Sequence, residues 1–338
     1  MWTEERLNEM LTTPSDALVE DIKKINGDIM ILGAGGKMGP SMALLIRNAI
    51  IKAGIQKKVI AVSRFSDPVA KKLLSDNQIE MISIDLLDVP SLYALPEVEN
   101  VIFMAGKKFG TTGEEWKTWG MNSTLPAFVA DKFKKSNIGV FSTGNVYPIA
   151  TISSGGCLET DPAEPIGEYP MSCLARERAF EYAANTYGTK VFIYRLSFAV
   201  DLRYGVLYDI ANAVQNSKPI NLGNSMFNCV WQGWANEIAV RGLLHATAPM
   251  NIMNVTGPEM YSTKKVAEKF GEYFGVTPVF EGVEENSAYV MDPSKAFETF
   301  GYPSVCANTL IRWQAEWIKD GGRALNKPTH FEERSGKY

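Results

Sequence analysis

The sequence predicts an α/β fold, a doubly wound parallel sheet with a smaller C-terminal lobe. Three observations carry that expectation: short continuous apolar runs, longer amphipathic stretches between them, and a glycine-rich turn directly after the first run. The apolar runs fall at 28–33 (DIMILG), 58–62, 79–84, 101–104, 138–141 and 191–196. A run that is apolar throughout suits a strand covered on both faces. Helix-like segments at 41–53, 68–75, 119–135 and 172–187 separate them. Strand–helix–strand alternation of this kind builds a parallel sheet with helices on both faces. Ahead of the first strand, residues 1–26 space Leu7, Met10 and Leu11 as a helical extension packed on the body. After about Asp201 the alternation loosens and Trp, Gly and Asn become frequent. The expected organisation is therefore an extension over 1–26, a sheet domain over 27–200, and a lobe over 201–338 interleaved with it.

Composition narrows the functional classes. The chain has 338 residues, 46% hydrophobic and 21% charged, with a formal net charge of −4. These values are globular averages and exclude a disordered or fibrous chain. A balanced, slightly acidic charge lacks the basic stripe that neutralises phosphates, so no nucleic-acid partner is expected. Cys157, Cys173, Cys229 and Cys306 have no CxxC spacing, and the chain holds 2 histidines, so no metal site is expected. No stretch approaches the roughly 18–20 apolar residues of a membrane span. Acids run through the first twenty residues without an apolar core, unlike a signal peptide. Methionines and scattered thiols fit a reducing compartment. These features place the protein in the cytoplasm, without membrane attachment.

Gly33, Gly36 and Gly39, in GAGGKMG, stand between the first strand and a helix. In that context glycines permit a tight turn, let backbone approach a pyrophosphate, and let helix and strand pack closely. The helix start supplies free N–H groups and a positive dipole end. A glycine-rich turn also serves as plain connection, but the strand before and helix after favour a dinucleotide. The second strand ends Ser63-Arg64, where an NAD-preferring site has an acid on the ribose; Ser and Arg there suit a 2′-phosphate, hence NADP. Arg64 otherwise is solvated or stacks on adenine. Asp85, after the third strand, is placed to accept from the adenine amine, or to cap a turn.

Taken together, GAGGKMG at 33–39, IDLLD at 84–88, MAG at 104–106, MNST at 121–124 and FSTGNVYP at 141–148 resemble the extended short-chain dehydrogenase/reductases, the NAD-dependent epimerase/dehydratase group. The resemblance continues through 168–188, VFIYRL at 191–196 and NVTGPE at 254–259. It implies a Rossmann-type sheet with a C-terminal substrate lobe. It also implies hydride transfer on a sugar, sugar acid or nucleotide sugar. The cofactor, NADP or NAD, falls to Gly33, Gly36, Lys37, Met38, Gly39, Ser63, Arg64, Asp85, Leu86, Ala105 and Gly106. Thr143, with Ser142 as rival, matches the residue that polarises the substrate oxygen, and Tyr169 the catalytic tyrosine. The helices at 119–135 and 172–187 match those that pair such proteins into homodimers.

The departure is Cys173, four residues after Tyr169, where the family has lysine. A phenol of pKa about 10 needs a nearby cation to act as base at neutral pH. Arg176, Lys107 and Lys108 are candidate substitutes, though each taken singly suits a surface charge. The competing class is a catalytically silent dinucleotide-binding sensor or scaffold. Further departures are Phe198, where relatives have Asn, and Trp234, where they have an acid. Trp231 and Trp234 stack on a sugar or fill a core. A second YxxxK, Tyr261 to Lys265, is read as a helix start. The polar tail over 327–334 is expected to fray, with His330 folding back as the lesser alternative.

Overall fold

The computed structural model describes residues 1–110, 112–327 and 329–337. Seven parallel strands form the central sheet: β1 (Ile29–Leu32), β2 (Val59–Ser63), β3 (Glu80–Ser83), β4 (Asn100–Phe103), β5 (Asn137–Thr143), β6 (Val191–Leu196) and β7 (Asn251–Val255). Their order is β7-β6-β5-β4-β1-β2-β3. All four residues of β1 and of β4 are buried; all but Asn100, which donates to Asn26 O and Asp28 O, belong to unbroken apolar runs. β3, at the sheet edge, is exposed at both ends and half-buried at Met81 and Ile82. Six strands fall on the six apolar runs within two residues at either end. β7 comes from the region where the alternation loosens; it pairs with β6 from Asn251↔Phe192 to Val255↔Leu196. Chain beyond 201 thus returns to complete the sheet.

Helices cover both faces. On one lie α1 (Glu4–Thr12), α2 (Asp16–Lys24), α3 (Gly39–Ala53) and, later in the chain, α10 (Gln232–Arg241). The others used below are α4 (Pro68–Asp76), α5 (Val89–Tyr93), α6 (Glu115–Trp119), α7 (Leu125–Lys132), α8 (Glu168–Tyr187) and α9 (Val206–Gln215). The lobe adds α11 (Thr263–Phe274), α12 (Ser294–Phe300) and α13 (Ala307–Lys319). α3 is apolar nearly all round, because α2 and α10 cover the side that faces away from the sheet. The opposite face is filled by Leu92 of α5, Leu125 and Val129 of α7, and Phe180 and Ala183 of α8.

The N-terminal extension is shared between two cores. Leu18 and Ile22 of α2 join the sheet core, whereas Leu7 and Leu11 of α1 join the lobe core with α9, α11 and α13. Trp2 sits in that lobe core too, its Nε1 donating to Glu316 at 3.0 Å.

Between β1 and β4 the strand order reverses. Loops at the C-terminal ends of these two strands part there and leave a crevice, the usual ligand position of an open α/β sheet. No helix among the described residues is long and apolar enough to cross a membrane.

Candidate active site

The crevice is a cavity of about 420 Å³. Its floor is the glycine loop. Gly33 has φ +94°, and a Cβ there would lie 2.6 Å from Ala105 N, so β1 can approach the end of β4 because the residue is glycine. A Cβ on Gly39 would run into the Ala34 carbonyl, which locks the loop against the first turn of α3. Gly36 differs: a Cβ there would meet only the Gly33 carbonyl oxygen, at 3.5 Å. Its bare face opens on the cavity, a cradle that a side chain would fill. α3 starts at this point with no side-chain cap on Met38, leaving its first N–H groups for a ligand. Loop and helix end together fit a dinucleotide pyrophosphate.

The adenine-end candidates lie further along the same sheet edge. Ser63 closes β2, its Oγ 2.6 Å from a Cβ built on Gly35. Arg64 is exposed and reaches Asp85 at 3.8 Å, while Asp85 also accepts from Leu87 N at 3.0 Å. Leu86 and Ala105 are buried, and Gly106 lines the cavity.

The opposite wall is built by β5 and α8. Consecutive residues of a strand point to opposite faces, and this separates Ser142 from Thr143. Ser142 Oγ donates to Glu177 at 2.5 Å, inside the protein. Thr143 shares a hydrogen bond with the Tyr169 hydroxyl, which α8 presents from its first turn. Burial pushes the Tyr169 phenol well above its ordinary range, against the lowering effect of Arg176 and Thr143. The phenol is a proton donor as it stands.

Cys173 is fully buried among Val146, Tyr147, Cys157 and Met291, with Tyr169 packed beside it. Burial raises its thiol, so it brings no charge. The charge arrives one turn later. Arg176 is 5% exposed, lines the cavity, donates to Phe141 O at 2.6 Å and to Asn122 Oδ1 at 2.9 Å, and has no hydrogen-bond partner for Nε among the described residues. Asn122 sits in a π-turn, Gly120–Thr124, and also accepts from Lys107 N at 2.8 Å. Of the other cations considered, Lys107 pairs with Glu114 at 2.8 Å, and Lys108 lies 5.8 Å from the Tyr169 ring centroid.

Two expectations need correction or refinement. The tail does not fray. Thr329 N and Oγ1 both donate to Asp209 Oδ2, at 2.8 and 2.6 Å; Phe331 is buried in the lobe core; Arg334 donates to Ser287 O at 2.6 Å. One buried aromatic and a set of backbone bonds hold it, features that hydrophobic periodicity does not register. His330 accordingly folds back, its ring 5.7 Å from Phe109. Trp231 and Trp234 are buried core, against Trp313 and Phe297, so neither offers a face to a sugar. The second YxxxK is the start of α11, where Ser262 caps Lys265 N and Tyr261 stacks on Phe227 at 5.2 Å. Phe198 lines the cavity with φ +37°, a conformation rare for a side chain of that size.

The WbmG enzyme of Bordetella bronchiseptica, solved with NAD and UDP, superposes with a TM-score of 0.68 at 18% identity, covering 89% of this chain and 97% of that one. UDP-glucuronic acid 4-epimerase of Bacillus cereus, solved with NAD, gives 0.68 at 17% identity over 87% and 99%. UDP-glucose 4-epimerase of Thermotoga maritima gives 0.65 at 18% over the same shares. The chain has their fold. No protein-family model matches it, and no curated protein matches it by sequence.

Proposed function

We propose that the protein is an NAD(P)-dependent oxidoreductase or epimerase that acts by hydride transfer on a sugar, sugar acid or nucleotide sugar. One observation carries the reading: the hydrogen-bonded Tyr169–Thr143 pair faces the same cavity as the bare Gly36 cradle and the uncapped start of α3. The nicotinamide, when bound, supplies or accepts the hydride. Tyr169 holds a proton for the substrate oxygen and Thr143 positions that oxygen by hydrogen bonding. Arg176, two turns on from Tyr169 in α8, supplies the positive charge that the resembling family draws from lysine, and it favours the phenolate against the effect of burial. The neighbouring folds support the substrate class, having been solved with NAD together with UDP, UDP-glucuronic acid or UDP-glucose.

Ser63 and the exposed Arg64 favour NADP, since both have room to meet a 2′-phosphate. Met171, Tyr182 and Tyr187 leave α8 with exposed apolar side chains, which supports a homodimer through α7 and α8. Silent binding is the second reading, favoured by the neutral, enclosed Cys173. The deciding measurement is absorbance of reduced nicotinamide with a sugar and sugar-acid panel, with NAD and NADP titrated in parallel. Tyr169→Phe should cut turnover by about 10²–10⁴ while cofactor affinity stays unchanged. Full turnover in that variant overturns the tyrosine mechanism, and no turnover by the wild type favours the silent binder.

A further inference from the structure

Two terminal segments bridge the sheet domain and the lobe, and they are held by different means. The first is the N-terminal extension. Leu7 and Leu11 of α1 are fully buried in the lobe core, and Leu18 and Ile22 of α2 in the sheet core. Polar bonds secure both helices: Glu4 and Asn8 accept from Arg203 at 3.0 and 3.1 Å, and Ser15 donates to Glu237 at 2.6 Å. A hinge motion of the lobe would have to pull buried leucines out of one core or the other. This bridge is a clamp.

The second bridge is the C-terminal tail over 329–337, and it lies on the cavity. Thr329 lines the cavity and links its two banks. Its N and Oγ1 donate to Asp209 of α9 at 2.8 and 2.6 Å, and its carbonyl accepts from Lys108, after β4, at 3.2 Å. His330 stands against Phe109 on the sheet side, and Gly336 meets Gly167, the residue before α8. A Cβ on Gly336 would lie 2.2 Å from Ile166 O, so backbone packs on backbone there. Phe331 is the sole large apolar side chain of the segment, buried in the lobe core beside Phe227. The remaining contacts are polar bonds that water can replace.

From this contrast we infer that residues 329–337 form a releasable strap, and that ligands enter the tyrosine side of the cavity by its release. Local opening selects segments with few buried apolar contacts. The strap has one such anchor, whereas the clamp has apolar anchors in both cores. Closed over the first turn of α8, the strap excludes water from the space in front of Tyr169, as gating segments do. The inference rests on the oxidoreductase reading for what enters, not for the motion of the strap.

The test has two arms. Hydrogen exchange on the full chain without ligand measures opening. The hydrogen-bonded amides of Thr329 and Glu333 should be at least about 100-fold less protected than those of α2, with little dependence on mild denaturant. Equal protection and equal denaturant dependence overturn the inference, because the tail then opens only when the protein unfolds. Stopped-flow fluorescence of NADH measures passage. Gly336→Val, which forces the tail off Gly167, and a chain ending before Thr329 should each speed NADH association and dissociation by about tenfold, with Kd held within about twofold. Unmoved rates in both proteins overturn the inference. So does faster dissociation alone, which makes the tail a ligand contact instead of a gate. The valine variant retains Phe331 and decides the matter if the shortened chain fails to fold. Absence of NADH binding by the wild type sinks the oxidoreductase reading, and the exchange arm then decides the strap by itself.

Discussion

Two clusters of buried charge flank the C-terminal end of β5, and they are built on opposite rules. Behind the strand, Glu177 and Arg195 face each other as a fork, Nε to Oε1 at 3.0 Å and an Nη to Oε2 at 2.7 Å. Ser142 donates to the same carboxylate, and the Tyr147 ring lies 4.6 Å from the guanidinium. In front of the strand, Lys37, Lys108 and Arg176 donate to carbonyls and an amide, and they line a cavity. The first cluster is internally neutral and orders β5, β6 and α8. The second is charged toward a space. The first cluster is charge paired inside the protein, and it serves as architecture.

The largest effect expected from this contrast comes from breaking the paired cluster. Glu177→Ala leaves Arg195 buried and uncompensated, which should cost about 3–5 kcal/mol of stability in a denaturant titration. An unchanged unfolding midpoint would erase the distinction between the two sides. Cys173→Lys probes the boundary between them. The site is apolar and fully enclosed, and Arg176 is already adjacent. A lysine there should cost about 1–3 kcal/mol and bring no gain in turnover. Faster turnover with an intact melting temperature would mean that the missing lysine, not Arg176, is what the site lacks.

The smallest effect concerns the cavity side and its pH dependence. Burial holds Lys37 at about 7, against an ordinary 10.5. The unfolded chain therefore keeps that proton to higher pH, and stability from this group rises between about 7 and 10.5. Below pH 7 the enclosed charge is a standing cost. Without ligand, Lys37→Met should melt higher than wild type at pH 6, by about 2 °C. The gap should close by pH 10. A variant less stable than wild type at pH 6 would mark Lys37 as structural.

The glycine loop was legible because its geometry is local. Strand, GAGGKMG and helix are contiguous in the chain, and Gly33, Gly36 and Gly39 act within seven residues. At the opposite wall the motif reaches only as far as the meeting of Thr143 and Tyr169; that Ser142 bonds Glu177 instead depends on which face of β5 it occupies. The partners of Arg176, Phe141 and Asn122, lie 35 and 54 positions away.

Sequence by itself determined the parallel sheet, the glycine cradle and the absence of a lysine after Tyr169. Those follow from apolar runs, residue size and side-chain chemistry at adjacent positions. Tertiary structure alone decided that chain beyond 201 returns as β7, that the polar tail docks, and that Lys37, Lys108 and Lys327 converge on one cavity. Each of those depends on long-range packing and hydrogen bonding between segments up to about three hundred residues apart, for which local periodicity carries no signal.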